Sequence, residues 1–341
     1  RGEKGVKIYE VDPLGRPVSI IDERDPVSGE DLYLTIDIDL QKVVEEALYS
    51  GIMEVRQKTI SNSEENYKVT GGAVVVLDVK DGGVLAMASF PTYDPEIFSG
   101  GISVREWAYL NDPENQYPLN NRAVMSYAPG SIFKIVTAYA GLQENIISEY
   151  STFTCRGTWY GLGSDFPKSC WRKSGHGSLS IREAIRHSCD IYFYEVGYGL
   201  YVKLDNIEEL LQKYSRDMGL GAKTGIDLPF EDAGRVPDRQ WKKEFFKDSV
   251  EYTVWFPGDT VNMAIGQGDI LVTPLQMAMV YSTAANRGIQ HEPHLVMETR
   301  DQYGSSSAES AMENWKDLEL NEYHLELIEN GHVVEQIRRI G

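Results

Sequence analysis

From Ser131 to about Gln143 the chain reads as a helix that is apolar almost all round, with Ile132, Phe133, Ile135, Val136, Ala138, Ala140 and Leu142. A helix without a polar face belongs in the middle of a protein, so the rest of the chain must wrap it. Yet its first turn carries a lysine, Lys134, and it is entered through Tyr127-Ala128-Pro129-Gly130, a loop that turns into the helix at Ser131. Ser131 and Lys134 then lie one turn apart on the same face. A serine becomes a nucleophile only when a neighbour takes its proton, and a lysine three residues on is within reach. The helix N-terminus adds backbone N–H groups and a positive dipole end, which favour a developing oxyanion and depress the lysine pKa.

Ser-x-x-Lys alone is weak, since ordinary residue usage gives about one match by chance in a chain this long. A capping serine beside a surface lysine is the bland alternative. Ser188-Cys189-Asp190 adds weight, 57 residues further on. In serine acyl-transfer enzymes a second Ser-x-Asn/Asp shuttles protons and hydrogen-bonds the lysine. Ser215-Arg216-Asp217 has the same form but sits at a polar helix end, whereas Ile191-Tyr192-Phe193-Tyr194 after the first can anchor a buried helix.

The flanking pattern predicts an α+β fold. Residues 1–33, rich in Gly, Pro, Asp and Glu, read as a connector or the tail of a preceding domain, with the main domain over 34–341. A helix stripe of Leu40, Val43, Val44 and Leu48 follows Leu34-Thr35-Ile36-Asp37, and residues 57–69 read as a loop. Ala73–Val79 and Val84–Ala88 flank an Asp-Gly turn and predict a β-hairpin whose first arm is apolar enough to be covered on both faces. Helices are expected over 180–200 and 206–218, and from Thr273-Pro274-Leu275-Gln276 to Gly288, with 301–312 a loop.

The 341 residues can bury a substantial core, and 42% apolar with 25% charged residues is ordinary for a soluble globular protein. A net charge of −19 argues against nucleic acid or anionic lipid as a partner bound by general attraction. No apolar run reaches the length of a membrane span and no signal peptide opens the chain, so this chain is expected to be soluble. Its abrupt start at Arg1 reads as an excerpt of something longer.

All three cysteines fall between Cys155 and Cys189, and an odd number rules out full pairing within the chain. Cys155, Cys170, His176 and Cys189 offer three thiolates and an imidazole, a set that satisfies tetrahedral Zn²⁺. Their spacings of 15, 6 and 13 are not those of a compact zinc finger. A Cys155–Cys170 disulfide with Cys189 buried, or three unrelated thiols, are the competing readings. His187 is the alternative imidazole. With four protein ligands no position is left for an activated water, so the metal's role is expected to be structural, pinning the second serine motif against the first.

These residues resemble the transpeptidase domain of class B penicillin-binding proteins, above all the elongation branch known as penicillin-binding protein 2. The likeness runs through Leu34-Thr35-Ile36-Asp37, Leu119-Asn120-Asn121-Arg122-Ala123, Ala128–Lys134, Gly175-His176-Gly177, Gly225-Ile226-Asp227-Leu228-Pro229 and Gly266-Gln267-Gly268 with Thr273-Pro274-Leu275-Gln276. The resemblance implies a β-lactamase/transpeptidase-like fold, an antiparallel sheet flanked by helices plus a mostly helical subdomain. Residues 1–33 would then end an N-terminal pedestal domain. Ser131 would attack the penultimate D-Ala carbonyl of a peptidoglycan stem peptide with Lys134 as base, supported by Ser188 and Asp190. The acyl-enzyme would pass to an amine on a neighbouring strand, and β-lactams would acylate the same serine. Relatives hold zinc through Asp, Asp, His and Cys at the matching places, so Cys155 and Cys170 would replace two carboxylates. A membrane-anchored parent, a periplasmic domain and a membrane glycosyltransferase partner are further implications.

One departure stands out. The family's third motif, Lys-Thr/Ser-Gly, lies on a strand lining the active site. Lys223-Thr224-Gly225 follows Asp190 by only 33 residues and runs into a turn, so it reads as a decoy. The true motif and the C-terminal strands are then expected beyond Gly341, leaving this chain slow or inactive in acylation. A serine β-lactamase of the same fold, or a non-catalytic β-lactam sensor or scaffold, are the alternative functions. The first needs a base for a deacylating water, and no residue is assigned to it.

Overall fold

The computed structural model describes residues 2–59, 65–203, 209–301, 303–308 and 314–329. It opens with an antiparallel hairpin, β1 (Val6–Val11) and β2 (Pro17–Arg24), turned by Asp12, whose carboxylate accepts from the Leu14 and Arg16 N–H groups. The expected connector is therefore an ordered ribbon, with every residue of both strands exposed. β3 (Asp31–Leu34) leads into helix α1 (Ile38–Gln57), which starts where the Asp37 side chain accepts from the Asp39 and Leu40 N–H groups.

The predicted hairpin forms from β4 (Gly72–Leu77) and β5 (Val84–Phe90), paired antiparallel. Alternation sends Val74, Val76, Ala86 and Ala88 to one face, where they pack against Val44, Leu40 and Leu48 of α1. Val75, Leu77 and Met87 take the opposite face and meet Leu275. Both faces are covered, which explains the near-absence of polar residues in β4. After the short helix α2 (Val104–Leu110), a 3₁₀ turn over Gly130–Phe133 passes into α3 (Lys134–Gln143). The expected central helix is thus present, with its serine in a 3₁₀ entry turn.

Short strands follow: β6 (Phe153–Cys155), β7 (Thr158–Trp159), β8 (Lys168–Ser169) and β9 (Gly177–Leu179), pairing β6 with β9 and β7 with β8. Where one helix was expected over 180–200 there are two, α4 (Ile181–Arg186) and α5 (Asp190–Val202). The break lies at Ser188, whose φ of 49° is left-handed and cannot continue a helix. α6 (Leu210–Asp217) matches the described part of the segment expected over 206–218; positions 206–208 lie outside the described residues. α7 (Arg239–Phe245), α8 (Pro257–Met263) and α9 (Pro274–Ala285) come next, the last opened by a Thr273/Gln276 capping box. β10 (Ile289–His291), β11 (Val296–Arg300), β12 (Ser306–Ala308), β13 (Trp315–Asp317) and α10 (Glu322–Glu329) are the last elements among the described residues. β12 lies in the segment expected to be a loop; its backbone pairs with β11, and β11 pairs in turn with β3.

The main core surrounds α3, whose residues from Lys134 to Leu142 are all buried. Tyr192, Phe193 and Val196 of α5, Val261 of α8, Met277 and Val280 of α9 and Leu325 of α10 share that core. Each buried apolar side chain of this size contributes about 1.5–3 kcal/mol, and the cluster holds in place the one charged residue among them. Among the described residues no helix is long and apolar enough to cross a membrane.

Candidate active site and metal cluster

Three contacts hold the entry to α3. The Gly130 N–H donates to the Gly266 carbonyl at 2.8 Å, Thr137 Oγ1 to the Ala264 carbonyl at 2.8 Å, and the Tyr281 hydroxyl to the Ile132 carbonyl at 3.0 Å. The Gly266-Gln267-Gly268 turn therefore lies directly against the residue before Ser131.

One turn on, the Lys134 side chain is 1% exposed. Its ammonium has three N–H donors, and all three are matched: Ser188 O at 2.9 Å, Ser188 Oγ at 3.1 Å and Asp190 Oδ1 at 2.7 Å. The face of Phe193 lies 5.6 Å from Nζ. Burial pushes the lysine pKa below its ordinary 10.5, and the Asp190 carboxylate pulls in the opposite direction without overcoming it. Of the four residues singled out for catalysis, Lys134, Ser188 and Asp190 are joined directly, and Ser131 lies half-buried on the turn leading into the lysine. Ser215, the rival to Ser188, donates to the Leu211 carbonyl within its own helix.

Ser188 reaches this position because α4 ends in a Schellman turn. The Ser188 N–H donates to the Ile185 carbonyl and the Cys189 N–H to the Ala184 carbonyl, both at 3.0 Å. Glycine normally occupies the left-handed place in that turn; here a serine fills it.

Beside it, Cys155, Cys170, His176 and Cys189 converge, with one ligand atom from each lying within 4.8 Å of the others. The three cysteines are free and buried, so the disulfide reading falls. His176 Nδ1 lies 3.5 Å from Cys155 Sγ and 3.6 Å from Cys170 Sγ. Zn–S and Zn–N bonds of ordinary length at the tetrahedral angle put N and S about 3.6 Å apart, so these residues fit the ion. Without a metal the thiols share a proton: a hydrogen bond from Cys189 draws Cys170 down to about 5, and the same contact with burial drives Cys189 up. His187 stacks on His176 at 5.8 Å and stands outside the ligand set.

Lys223-Thr224-Gly225 lies in a loop. Thr224 spends both its N–H (2.8 Å) and its hydroxyl (2.6 Å) on Glu231, leaving neither donor for a substrate. The motifs around it are structural. Asp227 accepts from the Leu295 and Val296 N–H groups at the start of β11, and Gln276 donates to the Ala222 and Ala233 carbonyls. Sequence reasoning overlooks a second Lys-Ser/Thr-Gly triplet, Lys173-Ser174-Gly175; it too lies in a loop, just before His176. Trp171 was also missed. Its backbone N–H donates to Asp190 Oδ2 at 3.0 Å, and only its place next to Cys170 signals it in sequence.

A serine on a loop-to-helix turn, one turn before a buried lysine held by a second serine, defines a serine acyl-transfer type of domain. The model of the penicillin binding protein transpeptidase domain matches residues 72–338, and the chain belongs to that family. It is 36% identical over 302 residues to the peptidoglycan D,D-transpeptidase MrdA of Escherichia coli K12, covering 88% of this chain and 43% of that protein. Stage V sporulation protein D of Bacillus subtilis is 31% identical, over 88% of this chain and 40% of its own length. The chain thus spans less than half of these relatives. Penicillin-binding protein 2 of Helicobacter pylori, solved with MreC, superposes with a TM-score of 0.71 at 30% identity, over 96% of this chain and 53% of that one. A chain of a peptidoglycan synthase complex coordinating polymerization and crosslinking gives 0.80 at 31% identity, over 98% and 54%.

Proposed function

We propose that this chain is the transpeptidase unit of an elongation-type penicillin-binding protein, with Ser131 as the nucleophile. The observation that carries the reading is Lys134: a lysine buried in an apolar core one turn after a serine, its three donors matched by Ser188 and Asp190. Burial favours the neutral amine, which accepts the Ser131 hydroxyl proton as Oγ attacks the penultimate D-Ala carbonyl of a stem peptide. The C–N bond to the terminal D-Ala breaks, and the departing amine takes a proton relayed from Lys134 through Ser188 Oγ. An ester on Ser131 remains. An amine of a neighbouring stem peptide attacks that ester, its proton returns through the same pair, and Ser131 leaves with its hydroxyl restored. A β-lactam enters the first step only, leaving its opened ring on the serine.

Cys155, Cys170, His176 and Cys189 hold Zn²⁺ in this reading, as a structural tie next to the second serine motif. The relatives' complex with MreC and their peptidoglycan synthase complex support an MreC-type protein and a polymerizing glycosyltransferase as partners of the parent; a membrane anchor and a periplasmic place belong to the same proposal through the family likeness. Incubation with a fluorescent penicillin followed by peptide mass spectrometry tests the chemistry. A slowly forming adduct on Ser131 that disappears in Ser131→Ala is the expected result; an adduct elsewhere, or none on the full-length parent protein at long times and high concentration, defeats it.

A further inference from the structure

The Trp171 indole is 62% exposed, so burial does not account for its place. Its Nε1–H points inward and is shared between two main-chain acceptors, His187 O and Ser188 O, each at 3.1 Å. These carbonyls belong to the two residues that follow α4, where Ser188 is held at a φ of 49°. A non-glycine residue in that region is disfavoured and persists only when its surroundings over-determine it. The Schellman bonds fix the N–H side of the turn, at Ser188 and Cys189. The Ser188 carbonyl in turn accepts from Lys134 Nζ and from the Trp171 indole. Lys134 is the group whose proton has to move, so it is a poor permanent anchor. The main-chain N–H of Trp171 meanwhile holds Asp190 Oδ2, while Asp190 Oδ1 takes the lysine. One residue thus grips the second serine motif at both ends.

We infer that Trp171 is a positioning residue for acyl transfer: its indole N–H holds the left-handed Ser188 turn so that the Ser188 hydroxyl stays aimed at Lys134 while the lysine changes protonation state. This rests on the acyl-transfer reading of Ser131. It assigns the side chain a task that touches neither substrate nor the reacting serine.

The test compares the wild-type chain with Trp171→Phe and with the isosteric replacement of Trp171 by benzothienylalanine, which keeps the ring shape and removes the N–H. Saturation kinetics of β-lactam acylation separate binding from the chemical step. Both variants are expected to lose about tenfold in the chemical step, the worth of one hydrogen bond to a main-chain acceptor, with binding and bound zinc unchanged. Crystal structures of the wild type and the isostere are expected to differ, Ser188 Oγ swinging away from Lys134 Nζ in the variant. An isostere that acylates at the wild-type rate, or that keeps the Ser188 turn and its hydroxyl unmoved, overturns the inference. A full-length parent protein that forms no Ser131 adduct defeats the acyl-transfer reading instead, and the crystallographic comparison then decides the positioning by itself.

Discussion

A methyl group added to Gly266 would stand 2.0 Å from the carbonyl oxygen of Gly130. The two turns touch so closely that only glycine fits, and the residue after Gly130 is Ser131. Gly266 also has a φ of 72°, so Gly266→Ala combines strain with a clash against main chain. A loss of roughly 3 kcal/mol or more is expected, along with acylation slowed beyond what the loss of folded protein explains. Gly268→Ala is the control. Its φ is 78°, but its nearest neighbour would be Asn262 Cβ at 3.4 Å, so about 1 kcal/mol of backbone strain is the expected cost. Urea titrations of the two variants check the difference, and equal losses would contradict it.

The buried pair of Lys134 and Asp190 should respond unequally to losing either partner. Asp190→Ala leaves an ammonium 1% exposed facing one serine, which costs about 3–5 kcal/mol. Lys134→Met removes the buried charge and leaves a carboxylate that is 14% exposed and still accepts from the Trp171 N–H, so stability should stay within about 1 kcal/mol of wild type. Both variants should fail to label with penicillin. Chemical denaturation distinguishes them, and the reverse order of stabilities would refute the account.

Lys134 also sets a pH dependence. Its pKa in the folded protein is lowered from 10.5, chiefly by burial. Between the lowered value and 10.5 the unfolded state binds the proton more strongly, so this group's contribution to stability rises with pH across that window; below it the full penalty is present. Acylation should rise with pH over the same range as the amine becomes neutral, with its midpoint below 10.5. Single-turnover rates against pH measure this. A midpoint at or above the ordinary lysine value would show that the amine is not the base.

Zinc removal should loosen the segment from Cys155 to Cys189. Elemental analysis of protein purified without chelator is expected to give about one zinc per chain. Stripping it, or Cys189→Ser, should cost a few kcal/mol and lower the melting temperature by roughly 5–10 °C. The three thiols, buried in the intact protein, should become titratable by a thiol reagent on chelation. Absence of zinc together with unreactive thiols would argue for a bare cluster of buried cysteines.

The hairpin of β4 and β5, the central helix and the convergence of three cysteines with one histidine were legible because each rests on a strong local signal: an apolar run, an Asp-Gly turn, four ligand-type residues in one segment. The split between α4 and α5 was not. A helix ending in a Schellman turn usually shows glycine at the left-handed place, and Ser188 hides the stop inside an otherwise helical run. β12 forms in a polar, serine-rich stretch because β11 offers it a pairing edge, a tertiary cause with no local trace. The grip of Trp171 on residues 187, 188 and 190 is likewise set by strands β6 to β9 folding back over the helix end.

The serine at the end of α4 carries a warning for anyone who engineers this domain for durability. A glycine at 188 would relieve about 1 kcal/mol of left-handed backbone strain, so redesign scored on backbone geometry alone will favour it. The same change takes away the third partner of the buried Lys134 ammonium, which costs as much or more, and with it the hydroxyl of the proposed proton relay. The strained residue at the end of α4 is thus held in place by the buried lysine it faces, and loosening one undoes the other.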